Sequence, residues 1–210
     1  MKITKERKFD AVVLEGLILG LIFGKLRGGT LRNLGRFSLK LPMILIIGFL
    51  GYLATSLMAF FGNDFVVGNL LYLKIGIYLM LFIVLFFNLQ YRSVWLILFG
   101  TLSNFTAVVL NDGRMPLDPR ALQQAGMVSM ETSLRAGTLH SYVSIEAVEG
   151  FSANLGKFLT TPDFYPFSQV LSPGDVFIAL GIFFLIHRAM TKATSRFRSV
   201  DFDYRQGRFQ

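Results

Sequence analysis

Five stretches of this chain are apolar and nearly free of charge: Asp10–Leu26, Leu41–Gly62, Leu70–Leu89, Ser93–Leu110 and Pro173–Met190. The second has no charged residue. The first is interrupted by Glu15, the third carries Lys74 near its start, and the fourth contains Asn104. As helices rising about 1.5 Å per residue they extend about 25–33 Å, which matches a hydrocarbon core about 30 Å thick. The pattern predicts an all-α fold, a polytopic transmembrane helix bundle of about five spans. Gly16, Gly20 and Gly24 recur every fourth residue on the first segment. Such a small-xxx-small face lets two helices approach closely.

Between the fourth and fifth segments lies a loop, 111–172, too long for a plain connector. Asp118-Pro119-Arg120 reads as an N-cap followed by proline at the first helical position. Glu131 and Arg135 are spaced as an i, i+4 pair. Phe151, Leu155, Phe158 and Leu159 would share one helical face, and Pro162–Phe167 sets three aromatics between prolines. The loop is therefore expected to form short amphipathic helices and an aromatic stretch that cap the bundle at the membrane interface. The domain plan is one membrane domain over 1–190, with its cap at 111–172, and a basic tail over 191–210.

Composition agrees. The chain is 53% hydrophobic with mean hydropathy +0.54, and 16% of residues are charged, against about 25% in soluble domains. Having no cysteines, it cannot form disulfides, thiolate nucleophiles, iron–sulfur clusters or Cys-type zinc sites. Two histidines, His140 and His187, lie far apart in the sequence. The net charge of +8 would suggest nucleic acid in a soluble protein. Here the basic residues flank the apolar segments, so the positive-inside rule explains them and no nucleic-acid partner is implied. Lys25, Arg27, Arg32, Arg36 and Lys40 between the first two segments, Arg92, and the basic tail assign those parts to the cytoplasm. The acidic-leaning 111–172 loop falls outside. The localisation implied is the bacterial inner membrane. Lys2, Lys5, Arg7 and Lys8 disagree, because five spans put them outside; a re-entrant or interfacial first segment would leave four true spans. The N-terminal apolar run has no small-x-small cleavage site, so it reads as a retained segment.

With alternating helix ends, Glu15, Lys74, Asp112, Arg114 and Asp175 fall on one side, the outer one. Ionisable groups at membrane depth are costly and usually paired, so Glu15 is expected to pair with Lys74 or Arg114 in an outward polar pocket. Asp175, in Ser172-Pro-Gly-Asp175, fits a helix-capping role, and Lys74 fits snorkelling to the interface. Asn104 and Asn111 share a helix face and suit interhelical hydrogen bonds. Asn111-Asp112-Gly113 is also a turn signal. Arg114 alone has no local structural task; it is the candidate to bind an anion or to lock the loop through Glu15 or Asp112. Arg27, Gly28, Gly29 and Arg32 could cradle a lipid phosphate through backbone amides and guanidiniums, although the P-loop ending is missing. His187, beside Arg188, reads as an interfacial residue, and the 22 phenylalanines as bilayer-facing bulk.

Leu26-Arg27-Gly28-Gly29-Thr30-Leu31-Arg32-Asn33-Leu34, Asn111-Asp112-Gly113-Arg114-Met115-Pro116 and Ser172-Pro173-Gly174-Asp175 together resemble a family of uncharacterised bacterial integral membrane proteins, known only as a domain of unknown function. The similarity runs from about Ala11 to His187. Family members usually carry Asn-Gly-Gly-Arg-Met-Pro, from which Asp112 departs. The resemblance implies no activity, cofactor or functional residue. The residues favour a non-catalytic accessory or assembly subunit among other membrane proteins. The alternative is a small transporter or receptor for a lipid, quinone or anion, using Glu15, Asn104, Asn111, Asp112 and Arg114; it lacks the internal repeat of many transporters. An intramembrane enzyme would have only Glu15 and Asp112 as an acid/base pair.

Overall fold

In the computed structural model, residues 11–35, 37–162, 165 and 168–191 are described. The basic N-terminus, most of the Pro162–Phe167 aromatic stretch and the tail beyond residue 191 lie outside them. Five long helices dominate: α1 (Ala11–Leu26), α3 (Pro42–Phe60), α5 (Leu70–Phe87), α6 (Arg92–Val109) and α9 (Pro173–Thr191). Short helices α2 (Leu31–Leu34) and α4 (Asp64–Gly68) sit in the connections. The last four long helices are long and apolar enough to cross a membrane, and the chain is a multi-pass membrane protein. At 16 residues α1 is shorter. It nevertheless runs parallel to α9 along its length: Gly16 meets Ala179, Gly20 meets Phe183 and Ile186, and Gly24 meets Met190. The glycine face thus serves a contact inside the chain: backbone of α9 blocks a side chain at Gly16 and Gly20, and the Met190 side chain fills the space at Gly24.

The helices form a row, α1–α9–α6–α5–α3, each packed mainly on its neighbours. Of the α6 span, 44% is buried, against 17% for α3, so α6 is central and α3 is an edge helix facing lipid. This explains the composition of each. Phe49, Leu50, Met58 and Phe60 of α3 are exposed, as expected where the solvent is hydrocarbon. On α6, glycine and small polar residues face α9: Gly100 lies against Gly174 and Ile178, and Gly181 against Ile97 and Ser93.

Hydrogen bonds fix the helix ends into two groups. On the basic side Asn88, almost fully buried, donates from Nδ2 to Lys40 O (3.0 Å) and Val84 O (2.8 Å) and accepts from Lys40 N at 2.9 Å. Tyr91 donates to Ser38 O at 2.9 Å, and Asn33 donates from Nδ2 to Met190 O at 2.6 Å. The α1–α3 connection, the α5–α6 turn and the end of α9 are thereby one surface. On the opposite side Gly62, past the end of α3, lies against His140 of the long loop. The expected alternation of helix ends therefore holds within this bundle.

The long loop is a folded cap with a mixed architecture. The strands β1 (Met115–Leu117) and β2 (Tyr142–Ser144) pair in parallel; β3 (Leu159–Thr160) and β4 (Val170–Leu171) pair antiparallel. Between them stand α7 (Pro119–Gln124), α8 (Val128–Arg135) and 3-10 turns at Ile145–Ala147 and Gly150–Leu155. Asp118 caps α7 by accepting from Arg120 N at 2.8 Å, and Arg135 Nε donates to Glu131 at 2.9 Å, both at the predicted spacings. Leu117, Ala121, Leu122, Leu134 and Val170 form a small core of the cap itself. Met115 joins Ala107 and Val108 of α6 in a second cluster that seats the cap on the bundle. The helical face expected over Phe151, Leu155, Phe158 and Leu159 does not form. The chain extends at Gly156, where Lys157 N donates to Pro116 O (2.8 Å) and Lys157 O accepts from Asp118 N (2.9 Å). Pairing with β1 supplies the backbone partners that a continued helix would have supplied.

Candidate functional site

Where the cap meets α6 and α9, four polar side chains form a closed knot. Ser172 and Asp175 cap α9 reciprocally: Asp175 N donates to Ser172 Oγ at 2.9 Å, and Ser172 N donates to Asp175 Oδ2 at 3.0 Å. This is a capping box with aspartate in the place of glutamate. From α6, Asn104 donates through Nδ2 to Asp175 Oδ1 at 2.8 Å and accepts from Ser172 Oγ at 2.8 Å. From the cap, Lys157 Nζ lies 3.0 Å from Asp175 Oδ2. All four residues are buried. Asn104 fits because residue 174 is glycine: a Cβ there would overlap Asn104 Oδ1 and crowd Gly100 O.

A second contact joins α1 to the cap. The Glu15 carboxylate accepts from Gln169 Nε2. Gln169 is itself fixed by the β3–β4 hairpin, its N donating to Thr161 Oγ1 at 3.0 Å. Tyr165 also hydrogen-bonds Glu15; burial first, and then this bond and the carboxylate charge, raise its hydroxyl above the ordinary phenol range.

The candidate residues are not brought to one pocket. Glu15 pairs with Gln169 and Tyr165, and not with Lys74 or Arg114. Asn104 makes the expected interhelical bonds. Asn111, seven residues on, turns back on its own helix, donating from Nδ2 to Ala107 O at 2.7 Å. Asp112, at φ 52°, and Gly113, at φ 82°, form the helix-terminating turn, closed by Gly113 N to Val108 O at 2.9 Å. A side chain at Gly113 would strike the start of α5. Arg114 is exposed and makes no side-chain hydrogen bond or ion pair among the described residues, so the expected lock through Glu15 or Asp112 is replaced by Lys157 and Gln169. Lys74 is buried within α5.

At the other end, Gly28 (φ 78°) and Gly29 close α1. Gly28 N donates to Lys25 O, Gly29 N to Gly24 O, and Thr30 N to Met190 O. The amides that would cradle a phosphate are therefore engaged within the chain, and Arg27 and Arg32 are exposed beside them. The guanidiniums of Arg27 and Arg32 remain open to an anion.

Sequence reasoning placed Asp175 in a cap but overlooked Lys157, Gln169, Tyr165 and Asn88. Lys157 carries no local signal, because its partner is 18 residues away on another element. The spacing of Ser172 and Asp175 was readable; what Asp175 binds besides its own helix was not.

Residues 36–187 match a family described as a family of unknown function (DUF5317). The chain belongs to this family. The DUF5317 region contains α3 through most of α9, and so both the Asn111–Pro116 turn and the Asn104–Lys157–Ser172–Asp175 knot. The Leu26–Leu34 motif and α1 precede it. No curated protein and no solved structure matches the chain.

Proposed function

We propose that this chain is a non-catalytic protein of the bacterial inner membrane, an accessory or assembly subunit that holds a folded cap at the outer surface against other membrane proteins. The observation that carries the reading is the buried knot. Asn104, Lys157, Ser172 and Asp175 use their polar atoms to fix the cap to the bundle, which suits a rigid platform better than a reaction centre. The outward-pocket reading loses support, because Glu15, Asn104, Asn111, Asp112 and Arg114 do not converge.

The partner surface is not the glycine face, which α9 covers. The cap carries exposed apolar side chains of its own in Val128 and Phe151, 60% and 63% exposed, and these are the positions at which the proposed partner contact is tested. A photo-crosslinking amino acid placed at Val128 or Phe151 in native membranes should give discrete protein adducts, identifiable by mass spectrometry. Adducts with lipid alone from both positions would overturn the accessory role.

A further inference from the structure

At the basic end of the bundle α6 begins beside the last turns of α9, and a cleft of about 400 Å³ opens between them. Its lining is divided by chemistry. Arg92, Ser93, His187, Arg188 and Thr191 are polar; Leu96 and Phe184 lie one turn farther along their helices toward the cap and are apolar. Arg92 and Arg188 are exposed and make no ion pair with an acid among the described residues. The His187 ring is oriented by stacking on Phe183, with ring planes 19° apart.

Two observations point to an acceptor-rich group as the ligand that suits this cleft. Ser93, 8% exposed, has its Oγ buried with no hydrogen-bond partner among the described residues. Buried hydroxyls are almost always bonded, so an orphan needs a reason. The start of α6 is also uncapped: Tyr91 at the N-cap makes no side-chain bond, and no described carbonyl accepts from the amides of Arg92 or Ser93. A helix N-terminus with free amides is partly positive and receives anions. Two guanidiniums, a helix start and a hydroxyl donor converge on one class of group, a phosphate.

We infer that this cleft binds the phosphate of an anionic phospholipid. Arg92 and Arg188 bind its oxygens, the Ser93 hydroxyl donates to it, and the acyl chains leave along Leu96 and Phe184. A free phosphate would satisfy the cationic half and leave those two apolar side chains without a role; a lipid uses both halves. The site is separate from the Arg27–Arg32 motif, in which the amides of residues 27–30 are occupied.

The test is native mass spectrometry of the full chain in mild detergent, titrated with phosphatidylglycerol, phosphatidylcholine or inorganic phosphate. The wild type should retain phosphatidylglycerol over phosphatidylcholine, and Arg92→Gln with Arg188→Gln should weaken that retention by about tenfold. Ser93→Ala should weaken it by a smaller factor at an unchanged melting temperature. Lys25→Gln with Lys40→Gln removes the same charge from the same side and should change nothing. If the double arginine variant does not fold, Arg92→Lys with Arg188→Lys keeps the charge and should still lose affinity through the lost bidentate geometry. Equal loss in the lysine control pair would overturn the site in favour of general surface charge. Equal retention of the two lipids, with displacement by millimolar phosphate, would overturn the lipid and leave a free-phosphate site.

Discussion

Lys157 of the cap and Asp175 at the start of α9 form an ion pair at 3.0 Å with side chains only 7% and 11% exposed. Breaking such a buried pair leaves one charge without compensation and costs about 3–5 kcal/mol. Lys157→Met should therefore lower the unfolding temperature markedly and expose 111–172 to protease. Lys157→Met combined with Asp175→Asn should recover much of the loss, because asparagine can still cap the helix. A double variant no better than the single one would show that the charges do not act as a pair.

The α1–α9 contact leads to a stability prediction. A Cβ at Gly16 would lie 2.6 Å from Ala179 O, and one at Gly20 would lie 2.9 Å from Phe183 O. These neighbours are backbone and cannot rotate away. Gly16→Ala and Gly20→Leu should each release α1 from α9, read as lost thermal stability and as a lost disulfide between cysteines introduced across that interface. Retained crosslinking in Gly20→Leu would mean that the helices pack elsewhere.

Arg114 and Gln169 give opposite expectations. Arg114 is exposed, so Arg114→Ala should change stability by no more than about 0.5 kcal/mol and leave the cap resistant to protease. Gln169→Leu removes the donor to Glu15 and should loosen the cap from α1. A large effect at Arg114 would point to a partner outside the chain.

Sidedness is tested in cells. With no native cysteine, Thr30→Cys and Ser133→Cys provide single labelling positions on opposite ends of the bundle. An impermeant maleimide should reach Ser133→Cys in intact cells and Thr30→Cys only after permeabilisation. Labelling of both from outside would sink the topology.

Tyr165 adds a pH dependence on the alkaline side. Its hydroxyl is raised above 10.0 by burial and by its bond to Glu15. The folded state therefore holds this proton more tightly than the unfolded state. The contribution is complete below about pH 10 and is lost as pH rises through the higher folded value. Absorbance at 295 nm should show a late-titrating phenol that Tyr165→Phe removes and Glu15→Gln shifts down. Identical titrations in all three proteins would exclude the contact.

The apolar periods by themselves determined the membrane character, the five helices and the shared side of their alternate ends. They did so because a hydrocarbon core about 30 Å thick imposes length and composition on any segment that crosses it. Local rules likewise determined the Asp118 cap, the Glu131–Arg135 pair, the Asn111–Gly113 stop and the Ser172–Asp175 box, all of which act within five residues. Tertiary structure alone decided which groups meet. The Gly16–Gly24 face found its partner in α9, Glu15 found Gln169 in place of Arg114, and the helix expected around Phe151–Leu159 gave way to an extended segment from which Lys157 reaches Asp175. Spacing along a helix states which way a side chain can face; which polar group waits there depends on elements that only folding brings alongside.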